Sequence, residues 1–422
     1  MNKLQKKVAT AIATGALIFN SLAVPAFADV TVVISGNGSD SDNDATVDVD
    51  QSTTVVQENQ ANISNDVDAT ADTGNNDAND NTGGDVTIET GDADVDVEVT
   101  NSVNSNTASV NCCNGDIDVL IEGNGSDSDN DVDVDVDTTT SVFQENKAYI
   151  KNDIDADADT GNNDANDNTG GDVTIETGDA GVDVEVTNSA NANWARVSGN
   201  DGGTSLSARI LGNGSDSDND IKIDFDRSVV VTQENQANIE NYVDADADTG
   251  NNDANDNTGG DVSIETGDAD VDVTIDNLVN FNWADVNCGC FLDVFAKIAG
   301  NGSDSDNDID VDIDDTLIVF QENSCKKSWG GWWRRSKKPC LDNHVHADAD
   351  TGGNDAEDNT GAPDGDPSIE TGDADVDVMI DNSGNVNVFG EEPELELPDF
   401  LGGFSINISL NLSALLAMLG LA

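Results

Sequence analysis

Long stretches of the chain alternate between uncharged positions and positions that carry the charges. From Asn37 to Thr73 every odd-numbered residue is uncharged, and every charge stands at an even position. The same rule holds from Asn124 to Thr160 with the parity reversed, and a third stretch breaks it once, at Arg227. Alternation with a period of two is typical of β-strands that have one buried face. The pattern therefore favours ordered β-structure over disorder, which has no reason to preserve it.

A nonapeptide divides the chain into four repeats. Gly-Asn-Gly-Ser-Asp-Ser-Asp-Asn-Asp begins at Gly36, Gly123, Gly212 and Gly300, at intervals of 87, 89 and 88 residues. The segments Gln-Glu-Asn, Asp-Thr-Gly and Ile-Glu-Thr-Gly-Asp-Ala follow it in every copy. A fixed period of this kind indicates a repeat architecture. We assign the four repeats to residues 29–115, 116–204, 205–292 and 293–390.

The alternating stretch is too long for one straight strand, because 37 residues would span roughly 120 Å. No Gly or Pro lies between Ser39 and Thr73, so tight hairpin turns are not expected there. We therefore predict an all-β fold in which four tandem repeats of about 88 residues form a β-solenoid. The uncharged row includes Gln57, Asn59 and Asn65, whose amides could form ladders between stacked rungs. The alternative is a row of tandem β-sandwich domains, although Trp194 and Trp283 lie at repeat junctions and not at the core positions where a sandwich needs its aromatic anchor.

The charge of the chain limits the kinds of partner that it can bind. It has 16 basic and 86 acidic residues, for a formal net charge of −70. Phosphate would be repelled, so nucleic acid is excluded as a partner of the repeat body, and cations or basic surfaces are expected instead.

The acids are mostly Asp, in Asn- and Gly-rich surroundings that suit Ca²⁺. In each nonapeptide, Asp-x-Asp-x-Asp matches the first three ligands of an EF-hand, but the later Gly and Glu of that motif are missing. The alternative to specific Ca²⁺ binding is a solvated acidic face, with diffuse cation condensation or adaptation to high salt. The segment Asp72–Asp85 is a second oxygen-rich candidate. The candidate metal ligands are Asp40, Asp42, Asp44, Asp127, Asp129, Asp131, Asp216, Asp218, Asp220, Asp304, Asp306 and Asp308.

The two ends differ from the repeats. Residues 1–28 combine Lys3, Lys6 and Lys7 with an apolar stretch and an Ala-x-Ala site at Ala26–Ala28, which predicts a signal peptide; an N-terminal membrane anchor is the alternative. The protein is therefore expected to be secreted or on the cell surface. Residues 391–422 form an acidic linker followed by an apolar segment, which we interpret as a cap or an anchor.

The fourth repeat contains a basic, tryptophan-rich insert at residues 324–343. Clustered Trp, Lys and Arg suit carbohydrate, lipid headgroups or another anionic surface; docking on the protein's own acidic wall, or self-association, is the alternative. We predict a hairpin closed by a disulfide between Cys325 and Cys340. The candidate partner-binding residues are Lys326, Lys327, Trp329, Trp332, Trp333, Arg334, Arg335, Lys337 and Lys338.

Other candidate chemistry is sparse. Cys112, Cys113, Cys288 and Cys290 lie at repeat junctions, where disulfides are expected with the pairing open. His344 and His346 have no matching cysteine pair, so they are a weak zinc signal. Nothing resembles a nucleophile–base pair, a P-loop or a dinucleotide turn, so we expect no enzymatic activity.

Two resemblances add to this interpretation. The segment Gln57–Asn65, Gln-Glu-Asn-Gln-Ala-Asn-Ile-Ser-Asn, resembles the repeats of curlin, the curli-fibre subunit. The longer string from Ala71 to Ile88 resembles uncharacterised secreted repeat proteins of candidate-phylum bacteria. We expect a secreted or cell-surface structural or adhesive protein with a cation-binding body. The alternatives are a curlin-like fibre or biofilm-matrix subunit and a soluble cation- or mineral-binding protein.

Overall fold

The fold consists of β-strands and connecting loops. The structure is a computed structural model, and it describes residues 6–9, 29–111, 115–199, 205–287, 293–325, 340–361 and 367–390. The strands are β1 (Lys6–Ala9), β2 (Val30–Ser35), β3 (Asp42–Asp72), β4 (Val86–Glu89), β5 (Ala93–Asn111), β6 (Ile117–Glu122), β7 (Asp129–Asp159), β8 (Val173–Glu176), β9 (Ala180–Ser198), β10 (Ser205–Leu211), β11 (Asp218–Asp248), β12 (Val262–Glu265), β13 (Ala269–Asn287), β14 (Asp293–Ala299), β15 (Asp308–Cys325), β16 (Leu341–Asp350), β17 (Ser368–Glu370) and β18 (Ala374–Phe389).

Each repeat forms one coil of a solenoid. Coil 1 contains β2 to β5, coil 2 β6 to β9, coil 3 β10 to β13, and coil 4 β14 to β18. Equivalent strands of successive coils pair in parallel and build four sheets, in the orders β2-β6-β10-β14, β3-β7-β11-β15, β4-β8-β12-β17 and β5-β9-β13-β18. β16 also pairs with β11. The predicted β-solenoid is therefore confirmed, and tandem β-sandwiches are excluded because the described strands pair between repeats.

The interior of a coil lies between two walls. β3 forms one wall, and β2 and β5 lie opposite it: Val47 shares an apolar cluster with Ile34, whereas Val67 shares another with Val99. Hydrophobic burial along these thin clusters takes the place of one large core. A smaller cluster beside β4, around Ile88, fills the end of the coil.

Layers of buried amides separate the apolar clusters. Asn59 Nδ2 donates to Asn146 Oδ1 of the next coil (3.1 Å) and to Asn106 Oδ1 across the interior (2.8 Å). Gln144 Nε2 donates to Gln57 Oε1 at 2.8 Å, and Gln233 repeats this contact one coil further on. The predicted amide ladders are confirmed, and they satisfy buried polar groups that would otherwise be costly.

A recurring left-handed asparagine shifts the alternation within β5. Val103 and Asn106 both face inward, so the buried parity changes between them. Asn104 lies there with φ +62°, and Asn191, Asn280 and Asn385 adopt φ values of +67°, +60° and +59° at the equivalent positions. Asn tolerates this region better than most residues. The alternation runs from Ala93 to Val103, and the strand continues past it with the parity reversed.

Several predicted features fall largely outside the described residues. Of residues 1–28 only the backbone of β1 is described, and it pairs with β5 in register from Lys6 opposite Val95 to Ala9 opposite Glu98. Cys112, Cys113, Cys288, Cys290, most of the insert and residues 391–422 also lie outside them. The part of the chain that the structure describes contains no helix that is long and apolar enough to cross a membrane.

Candidate functional site

The predicted metal ligands stand in columns on the outer surface. All twelve aspartates are exposed, whereas Asn43, between Asp42 and Asp44, points inward and is buried. The parallel register places Asp44, Asp131, Asp220 and Asp308 next to one another along the solenoid axis. Neighbouring strands lie about 4.8 Å apart. The alternation and the exact stacking of repeats thus produce vertical rows of carboxylates.

Further carboxylate columns cover both walls. On the β3 wall, Asp48 and Asp50 head two columns that contain Asp in every coil. On the β5 wall, Asp96 heads a column that continues through Asp183, Asp272 and Asp377. Like charges placed directly opposite each other in a sheet are destabilising, so both walls carry repulsion along their length.

The inner coils show the electrostatic consequence. Partial desolvation raises the pKa of Asp131, and the carboxylates of Asp129 and Asp44 raise it further. Desolvation followed by the charges of Asp218 and Asp131 likewise raises the pKa of Asp220. Asp131 and Asp220, in the middle of the stack, therefore hold their negative charge less readily than isolated carboxylates.

The nonapeptide aspartates do not converge on compact three-ligand sites. The first aspartate of each copy lies in a left-handed turn, as Asp40 does with φ +57°. The other two project from a strand, except Asp306, which precedes β15. Oxygen donors in columns fit a hard cation such as Ca²⁺, and they would share it between neighbouring coils. The assignment of these residues as metal ligands stays a prediction.

One described group does bring three metal-binding side chains together. Asp244, Asp246 and His346 place ligand atoms within 4.8 Å of one another. His346 Nδ1 lies 3.3 Å from Asp244 Oδ1 and 3.8 Å from Asp246 Oδ1. The register explains the group, because His346 stands in coil 4 where Asp68, Asp155 and Asp244 stand in the other coils. The histidine therefore ends a carboxylate column with a nitrogen donor.

The second oxygen-rich candidate, Asp72–Asp85, uses many of its oxygens within the fold. Asp72 Oδ1 accepts a hydrogen bond from the Gly74 amide at 2.9 Å, and its Oδ2 accepts one from Asn75 Nδ2 at 3.0 Å. Asn76 Nδ2 donates to the Thr73 carbonyl and also to Asn163 Oδ1 of the next coil. These contacts hold the turn and stack it, which gives its Asn and Asp residues a structural role.

The insert lies between β15 and β16, which both pair with β11 in the wall that β3 forms in coil 1. We call the gap between these two strands the opening. Cys325 pairs in register with Ala237, and Leu341 pairs with Ile239. The chain therefore departs and returns within two positions of β11. The Ile239 amide donates to the Cys340 carbonyl at 2.8 Å, so the two cysteines flank the opening. The candidate binding residues from Lys326 to Lys338 lie outside the described residues, and the Cys325–Cys340 disulfide stays a prediction.

Beside this opening lies an aromatic and basic patch that sequence reasoning missed. We define it as Tyr149, Lys151, Tyr242 and His344. Lys151 Nζ lies 5.4 Å from the ring centre of Tyr242, and Tyr242 stacks on His344 with ring centres 5.1 Å apart and planes at 4°. A hydrogen bond from Lys151 to Asp153 raises the pKa of the lysine. Aligning the four repeats by their recurring segments would have revealed the patch, because its residues replace Asn, Asp and Ser of coil 1 at outward positions.

Comparison with family models, with curated proteins and with solved structures finds no match to this chain.

Proposed function

We propose that this chain is a secreted, non-catalytic structural protein of the cell surface: an acidic spacer that binds cations along its walls and presents the basic insert as an adhesive element. The observation that carries the proposal is the set of in-register carboxylate columns on both walls. Such columns suit a body whose stability depends on bound cations.

The physical argument starts from repulsion between coils. Each carboxylate of coils 2 and 3 in a column faces another about 4.8 Å away on either side. Desolvation raises the pKa of Asp131 and Asp220 most, and neighbouring carboxylates raise it further. A divalent cation between two coils neutralises charge in both. Carboxylates in Asn-rich surroundings are the ligands that Ca²⁺ prefers. Calcium would then bind the stacked coils more tightly than the unfolded chain and stabilise them.

Thermal unfolding at pH 7 tests the cation-binding part. The chain is first freed of divalent ions with chelator and then titrated with CaCl₂, with NaCl of equal ionic strength as the reference. We expect calcium to raise the melting temperature beyond the NaCl effect. The stabilisation should approach about 2.7 kcal/mol when calcium exceeds its Kd about a hundredfold.

A matched variant locates the effect. Asp131→Asn combined with Asp220→Asn removes two charges from the middle of one column, and it should raise the melting temperature in chelator while reducing the response to calcium. Ser102→Asn with Ser189→Asn, on the other wall, changes no charge and serves as the control. Equal responses to CaCl₂ and NaCl would reject calcium-specific binding in favour of diffuse condensation.

The adhesive part rests on where the insert emerges. Its two ends lie at neighbouring positions of the wall, which suits a hairpin that projects outward. The patch of Tyr149, Lys151, Tyr242 and His344 lies beside the point where the chain leaves and re-enters the wall, so it adds aromatic and basic groups next to the ends of the insert. Trp and Lys/Arg side chains together favour anionic or carbohydrate surfaces.

A sedimentation assay tests adhesion. The triple variant Trp329→Ala, Trp332→Ala and Trp333→Ala should lose most binding to vesicles of anionic phospholipid or to insoluble polysaccharide. Phe143→Ala removes an exposed aromatic of the coil 2 wall and should leave binding unchanged. Retained binding by the triple variant would remove the insert from the proposal.

A further inference from the structure

The end of the solenoid at coil 4 exposes apolar side chains that face inward. Ile309 and Ile380 are 43% and 42% exposed, whereas their partners in coil 3, Ile221 and Ile275, are 1% and 0% exposed. Leu317 repeats the contrast. Within the described chain no strand pairs with the far edge of coil 4. These exposed apolar side chains need a covering layer, because stacked repeats require a terminal cap.

The topology shows where the next segment of chain belongs. After β5, β9 and β13, five or six residues lead to β6, β10 and β14, and each of these pairs on the equivalent strand of the coil before. A strand that follows β18 would pair on β14 by the same order; for a strand that begins at Phe404 the connection is residues 390–403, longer than the earlier ones. There it would cover Val294, Ala296 and Ile298, which pack against the adjoining apolar cluster.

The segment that follows β18 has the composition for this place. Phe404, Ile406, Ile408, Leu410 and Leu412 alternate with Ser and Asn, as a strand with one buried face requires. Residues 400–422 carry no charge in a chain with 86 acids. We propose that residues 404–412 add a fifth strand to the β2-β6-β10-β14 sheet, and that the apolar residues after them cover the open end of coil 4.

A second copy of the chain fits this end less well. Coil 1 of another molecule would continue the carboxylate columns, because Asp44 and Asp48 would stand opposite Asp308 and Asp312. The uncharged segment adds no such repulsion. It would therefore end the stack at four coils and keep the molecule from growing end to end. This inference does not depend on the proposed function.

Hydrogen exchange of the full chain, compared with a chain ending at Pro398, tests the cap. The β14 amides should exchange about tenfold faster or more in the shortened chain, since they lose a paired neighbour. The amides of β6, two coils away, provide the internal reference. In sedimentation experiments the full chain should stay monomeric, and the shortened chain should associate.

Two pairs of substitutions use the alternation as a control. Ile406→Asp with Ile408→Asp places charges on the apolar side and should reproduce the effect of shortening on β14. Ser405→Asp with Ser409→Asp adds the same charge on the polar side and should leave β14 exchange slow. Equal β14 exchange in the full and shortened chains would overturn the proposal. So would equal effects of the two pairs, or association of the full chain that shortening abolishes.

Discussion

The interior of this protein depends on individual amide side chains. Asn152 is fully buried, and its Nδ2 donates to Asn241 Oδ1 of the next coil at 2.6 Å and to Asn188 Oδ1 at 3.2 Å. Its own Oδ1 accepts from Asn65 and Asn101. An amide has both a donor and an acceptor, which lets the same residue type repeat in every coil.

Replacing Asn152 with Ala should therefore be costly. The substitution leaves the amides of its neighbours without partners in the interior, and we expect a loss of about 1–3 kcal/mol in the free energy of unfolding. Denaturant unfolding measures it. Asn62→Ala, at an exposed position of β3, is the control and should change little. Equal effects would mean that the ladder adds no stability beyond surface contacts.

The break in the alternation at Arg227 has a structural explanation. Arg227 occupies an inward-parity position, and in coil 4 its register partner is Asp315. Arg227 Nε donates to Asp315 Oδ1 at 3.0 Å, and Nη2 pairs with Oδ2. In coil 2 the position is Thr138. The two charged residues thus replace uncharged residues together and compensate each other across two coils.

A double-mutant cycle tests this compensation. Arg227→Thr removes the cation that Asp315 contacts, and Asp315→Thr removes the anion that Arg227 Nε and Nη2 contact, so each should be destabilising. The double variant should recover stability, with a coupling free energy of roughly 1 kcal/mol for this partly exposed pair. Additive effects in denaturant unfolding would show that the two charges act independently.

At the scale of elements, the coils approach most closely at glycine turns. A Cβ on Gly74 would lie 2.1 Å from the carbonyl oxygen of Gly161 in the next coil, and one on Gly161 would meet Gly250 at 2.0 Å. The glycine of the recurring Asp-Thr-Gly segment therefore allows the turns of successive coils to stack. Only a residue without a side chain permits this distance.

Gly74→Ala should separate coils 1 and 2 at this turn. We expect a loss of about 1–3 kcal/mol from the forced shift of the backbone, measured by denaturant unfolding. Gly91→Ala lies in the same coil, where a Cβ meets nothing within 4 Å, and it should be nearly neutral. If both variants are equally stable, the turns can relax without cost.

For the whole molecule, the carboxylate columns determine how stability varies with pH. The pKa of Asp129, Asp131 and Asp220 is raised in the folded state, by desolvation first and by neighbouring carboxylates next. The folded chain then binds more protons than the unfolded chain. The linkage relation makes stability fall as pH rises from the unfolded value, about 4, through the raised folded values.

We therefore expect a higher melting temperature near pH 4.5 than at pH 7 in low salt without divalent ions. Added salt should reduce the difference, since it screens the columns. The Asp131→Asn, Asp220→Asn variant should show a flatter pH profile. A melting temperature that decreases steadily on acidification from pH 7 would contradict this account of the columns.

The sequence by itself determined the repeat, the β-structure and the inward and outward faces. A period of two and a period of about 88 residues can both be recognised in the sequence alone, so Gln57, Asn59 and Asn65 could be assigned to ladders before any contact was known. The outward position of Asp40, Asp42 and Asp44 follows from the same parity.

Only the tertiary structure decided which residues become neighbours along the axis and across the interior. The pairing of Asn59 with Asn106, the parity change at Asn104 and the group of Asp244, Asp246 and His346 all depend on coils stacking in one particular register. The register depends on how the chain, after about 88 residues, aligns on the preceding coil, and no local sequence pattern specifies that alignment. For that reason the carboxylate columns, the aromatic and basic patch and the open end of coil 4 became visible only when the four repeats were stacked.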